Sequence, residues 1–162
     1  MMVARTLSCI TLCLSLTSAL GQNPAISSRH FKIRDATRQA WSPGIVRENT
    51  AISGGYIFQL GVKARKGGRY QVERLIVNGE SLSIEATQGG EARSTDRVRK
   101  CSKWKFIARS NSNDRQPIRS EVLSVINQAG TPDAWILYQF EGNYFLAAVP
   151  KVATIKADSP NQ

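Results

Sequence analysis

Covalent staples and metal ligands are scarce in this chain. Among its 162 residues there are three cysteines and one histidine. Cys9 and Cys13 lie in an apolar segment at the start of the chain that is expected to be cleaved off, so Cys101 is left alone and no intrachain disulfide can form. The core must therefore stand by burial, and Cys101 is expected to be a buried, inert thiol, as free cysteines usually are. Calcium loops, zinc-binding cysteine pairs and phosphate-cradling glycine loops are missing too. Gly54-Gly55, Gly67-Gly68 and Gly89-Gly90 are turn doublets without the lysine and hydroxyl that complete a phosphate loop, and no cofactor is expected. The chain also lacks any apolar stretch of the about 20 residues that a membrane-spanning helix needs. It has no internal repeat and no low-complexity tract.

What stands at the start of the chain is an export pattern. Residues 1–6 are short and carry one positive charge, Arg5; residues 7–16 are apolar; and Ala19-Leu20-Gly21 offers the small residues a signal peptidase requires. Residues 1–21 are thus expected to be a signal peptide, and the mature protein to be secreted or periplasmic. Leu12 is too bulky for the position before a lipid-modified cysteine at Cys13, so no lipid anchor is expected. About 140 residues remain, the size of one ordinary domain. That domain is expected over residues 22–156, with residues 157–162 as a disordered tail.

Apolar residues alternate with period two along most of this domain. Tyr56, Phe58, Leu60 and Val62 share one face of a strand while Gln59, Gly61 and Lys63 share the other. Asn78-Gly79 separates two such runs and predicts a hairpin through a type I′ turn, whose two central residues need positive φ. The apolar parity shifts between Tyr70, Val72 and Leu75, Val77, which predicts a bulge near Glu73 or Arg74. Further strands are expected over residues 30–35, 103–109, 119–127, 134–140, 144–149 and 151–155, with a long polar loop over residues 88–102. Short strands punctuated by turns every eight to twelve residues predict an all-β fold, and the uneven loops favour a mainly antiparallel, immunoglobulin-like β-sandwich of about seven to nine strands over a barrel.

Candidate chemistry is thin. A Ser-His-Asp triad would have to be assembled around His30, without G-x-S-x-G or H-E-x-x-H to support it, and a solvated or strand-edge histidine is expected instead. Glu80, Glu85, Glu91 and Glu141 are the candidates for a glycosidase pair, but Glu80 and Glu85 sit an odd number of residues apart on one strand and point to opposite faces. No catalytic residue is assigned. Charge is the one concentrated feature. The chain carries a net +10, all but Arg5 of its basic residues lying beyond residue 21. Arg93, Arg97, Arg99, Lys100, Lys103, Lys105 and Arg109 lie close together with Asp96 as the one acid among them. Such a segment displaces counterions from a polyanion, although the neighbouring Trp104 and Phe106 are expected to face the core rather than a ligand. Lysines on an outer strand face also keep sheet edges from pairing with other chains, which is the commoner reason for them. Trp41, in an expected exposed turn, is a second candidate contact, for a sugar ring.

Three pieces, Trp41-Ser42-Pro43-Gly44 followed by Ser53-Gly54-Gly55-Tyr56, the Val77-Asn78-Gly79 hairpin, and Tyr138-Gln139-Phe140-Glu141-Gly142-Asn143-Tyr144-Phe145, resemble a group of uncharacterised secreted bacterial single-domain β-proteins with no assigned activity. The resemblance implies export and a sandwich fold and carries over no site residue. The expected function is that of an exported, non-enzymatic binding or accessory module of the cell envelope. Its basic segment would contact an anionic glycan, nucleic acid or an envelope protein. The competing reading is a small secreted hydrolase built around His30 or a converging carboxylate pair.

Overall fold

The computed structural model describes residues 23–41, 54–110 and 116–156. The expected signal peptide, the Ser42-Pro43-Gly44 turn and the tail at 157–162 lie outside them. The described chain is mainly β. Its strands are β1 (Ala25–Ile26), β2 (Phe31–Trp41), β3 (Gly55–Ala64), β4 (Tyr70–Val77), β5 (Glu80–Gln88), β6 (Glu91–Ala92), β7 (Lys103–Arg109), β8 (Ala134–Phe140), β9 (Asn143–Val149) and β10 (Ala153–Ile155), with one helix, α1 (Ser120–Gln128), before β8. They form a single path, β1-β9-β8-β4-β5-β7-β3-β2-β10, with β6 hydrogen-bonded to β5.

That path is not two stacked sheets. β5 carries both halves: residues Glu80 to Ser83 pair with β4, and Ile84 to Thr87 pair with β7. The connections then force the sheet to curl. β1 and β2 lie seven strand spacings apart along the path, about 34 Å if it were flat. The chain between Ile26 and Phe31 can span at most about 18 Å, and that between β9 and β10, equally separated on the path, even less. The sheet rolls into a half-barrel, and its two ends come together with β1 parallel to β9 and β10 parallel to β2. The expected antiparallel sandwich is thus corrected to a curled mixed sheet. Period-two alternation is common to both architectures and does not distinguish them.

Inside the curl lie Phe58, Leu60 and Val62 of β3, Trp104 and Phe106 of β7, Leu75 and Val77 of β4, Leu82 of β5, Ile136 and Tyr138 of β8 and Val149 of β9, all buried. The predicted bulge is present as a register shift between Val72 and Arg74. Asn78 and Gly79 have φ of 49° and 76°, as the type I′ hairpin requires. Glu141-Gly142 closes the β8–β9 hairpin in the same way, with φ of 48° and 83°.

Residues 119–127 were expected to be a strand; residues Ser120–Gln128 form α1 instead. Ile118, Val122, Val125, Ile126 and Ala129 recur at helical spacing, and together they cover Ile76, Trp135, Leu137 and Leu146 on the outer face of β4, β8 and β9. Gly130, at φ 99°, ends the helix.

Candidate functional site

The basic segment found in the sequence folds into a pole at one end of the half-barrel. The β3–β4 loop (residues 65–69) and the loop of residues 93–102 are joined there by backbone hydrogen bonds. Gly68 and Val98 exchange two, of 3.0 and 2.9 Å; Cys101 donates to the Ala64 carbonyl at 2.8 Å; and Tyr70 donates to the Thr95 carbonyl at 2.9 Å. Thr95 Oγ1 donates back to the Tyr70 carbonyl at 2.7 Å, and Val98 is buried beneath. The loop is long but held at each of these points, so its cations are presented on a fixed backbone.

Behind these loops His30 anchors a third segment. Its carbonyl oxygen accepts from the Arg65 and Lys66 amides, at 2.7 and 3.2 Å, and from the Tyr70 hydroxyl at 2.8 Å. The expected solvated or strand-edge histidine is corrected as to solvation: His30, just before β2, is 6% exposed, its Nδ1 is hydrogen-bonded to the Tyr138 hydroxyl at 2.9 Å, and its ring stacks on Phe140 with centroids 4.2 Å apart. Phe145 closes the other side at 4.5 Å. Burial, and then the positive charges of Lys66 and Arg29, hold its imidazole below the ordinary value of 6.5. The same burial pushes the Tyr70 hydroxyl up to about 12 and Tyr138 higher still. The aromatic group is a neutral, packed anchor for the basic loops. The sequence signal for it was weak because its members come from β2's approach, β4, β8 and β9.

Five of the seven candidate cations, Arg97, Arg99, Lys100, Lys103 and Lys105, are exposed at this pole. Arg97 and Arg99 join Arg69 around an open hollow of about 510 Å³ that also contains Asp96 and Glu141. Lys103 and Lys105 border a second, of about 340 Å³, against the β5–β6 turn. The other two are paired with glutamates. Arg93 is paired with Glu91 at 3.3 Å, and Arg109, at the far end of β7, lies 3.5 Å from Glu85. Trp104 and Phe106 face the core as expected. Trp41 is not in a loop; it is the last residue of β2, 37% exposed and paired with Gly55, at the end of the strand remote from Lys32. Cys101, expected to be buried, is exposed in a turn at φ 67°. Glu80 and Glu85 do fall on opposite faces of β5, Glu80 sharing its face with Leu82 and Glu85 pairing with Ile107 on the outside. Among the described residues no group of three or more histidine, cysteine, aspartate or glutamate side chains could hold a metal.

Two features were out of reach of sequence reading. β7 is a central strand, between β5 and β3, so guarding a sheet edge does not account for its lysines. The register also sets Lys103 directly opposite Lys63, and Lys63 directly opposite Lys32, on the outer face of β7, β3 and β2. Each lysine was legible as outward-facing on its own strand; their alignment depends on long-range pairing that alternation does not encode. No protein-family model, curated protein or solved structure matches this chain.

Proposed function

We propose that this protein is an exported, non-enzymatic binding module of the cell envelope that holds a polyanion against its basic pole. The observation that carries this reading is the stitching of the two basic loops by backbone hydrogen bonds over a buried anchor. Cations fixed in this way lose less freedom on binding than cations on a free tail, and each one displaces counterions from the ligand. The hydrolase reading gains no support from His30, whose Nδ1 is engaged by Tyr138 and whose ring is packed between Phe140 and Phe145.

The test is retention on immobilised heparin. Replacing Arg97, Arg99 and Lys103 together by glutamine should lower the salt concentration at elution and flatten its dependence on ionic strength, with the thermal melt preserved. Retention equal to the parent protein refutes the polyanion reading.

A further inference from the structure

The outer face of β2, β3 and β7 carries a feature that folding alone does not require. Like charges directly opposite each other on neighbouring strands are destabilising. Here two such pairs, Lys32–Lys63 and Lys63–Lys103, follow one another in register. No described carboxylate forms an ion pair with any of the three lysines. The nearest acid in the pairing is Asp35, opposite Gly61 in the next outward-facing row, and its Oδ1 accepts the Gly61 amide at 3.1 Å. A Cβ at Gly61 would come within 2.5 Å of that carboxylate, so the glycine allows Asp35 to lie down on the sheet. Lys105 stands opposite Gly61 on β7 and continues the positive side of the strip. The row crosses the strands at about 5 Å per lysine, within one Debye length at physiological salt, so the charges act together.

We infer that the lysines Lys32, Lys63 and Lys103, with Lys105 beside them, form a linear strip that binds an extended anionic polysaccharide running across the strands. This rests on the polyanion reading above and adds a site, a direction and a ligand class to it. An anionic glycan fits better than nucleic acid. Among the described residues none of the exposed large apolar side chains, Ile26, Trp41, Tyr56, Leu123 and Ile155, belongs to the strip or to the loops beside it, so these offer no ring there to an unstacked base. The described helix, α1, lies on the opposite half of the sheet, where it cannot enter a groove from this face. Lysines are point charges that make few demands on geometry, which suits sulfate or carboxylate groups on successive sugars.

The experiment measures binding of a fluorescent heparin octasaccharide over a range of salt concentrations, for the parent, K32Q/K63Q and R97Q/R99Q/K103Q, each checked by circular dichroism. The strip predicts that K32Q/K63Q weakens binding about tenfold or more at low salt and lowers the slope of log affinity against log salt by about two. Parent-like binding by K32Q/K63Q, with binding lost in R97Q/R99Q/K103Q, overturns the strip and leaves the polyanion reading standing. Parent-like binding by both variants overturns both. Single-stranded or duplex DNA of equal charge binding more tightly than the octasaccharide overturns the glycan assignment.

Discussion

The two halves of the curled sheet solve the same problem differently. In β4, β8 and β9 apolar residues occupy both faces: Ile136 and Tyr138 point into the curl while Trp135 and Leu137 point out and are covered by α1. In β3 and β7 the buried apolar residues fill the inner face, and the outer face carries Lys63, Gln59, Lys103 and Lys105 beside the half-buried Ile57 and Ile107, with no described element packed on it. Burial on both faces fixes the first half; the second half is held from inside and leaves its outer surface available. The covering helix is further tied down by Arg119, which lies 3.7 Å from Glu73 and 4.7 Å from the Tyr144 ring centroid. The open half contributes to the core from its inner face alone, so substitutions on its outer face should change binding without unfolding the protein.

Single substitutions in the two halves should differ widely in their effect on stability. Leu146→Ala, beneath α1 and fully buried, should cost about 2–5 kcal/mol and lower the thermal midpoint accordingly. At the meeting of the halves, the His30 cluster should make stability depend on pH. The folded imidazole is held below 6.5, so the unfolded chain binds its proton at a higher pH than the folded one. The stabilisation is complete above about pH 6.5 and is lost as the pH falls from there through the lower, folded value. Thermal melts between pH 7.5 and 5.5 should show this fall, and His30→Gln should flatten it; a slope unchanged by the substitution would remove His30 from the account. Smallest of all, Lys63→Gln should shift stability by less than about 0.5 kcal/mol, in the stabilising direction because it relieves two like-charge pairs. A loss comparable to that of Leu146→Ala would erase the distinction between the halves.

The same contrast explains what was legible in the sequence. Alternation in residues 58–64 and 103–106 reported strands buried on one face, and Asn78-Gly79 with the parity shift before it reported a hairpin and a bulge; the structure has all of these. The uninterrupted apolar runs Leu75-Ile76-Val77 and Ala134-Trp135-Ile136-Leu137-Tyr138 carried a further message, that something covers the second face. The cover itself was misread as a strand, because Val122, Val125 and Ile126 are β-branched and local propensity pointed away from the helix that tertiary burial selects. Curling was hidden for another reason. It follows from which strands pair at the ends of the path, and the two residues of β1 and three of β10 leave almost no pattern to read. The basic segment was legible as charge, and its separation into a pole, with Arg93 and Arg109 paired elsewhere, was not.

Lysine footprinting reads out whether the open face holds the ligand. The protein is acetylated briefly with and without a heparin octasaccharide, and the modified sites are read by mass spectrometry. The open-face account predicts protection of Lys32, Lys63, Lys103 and Lys105, with Lys156, just past the end of β10 and far from the row, labelled as in the free protein. Equal labelling of all five lysines in the presence and absence of the ligand would contradict it.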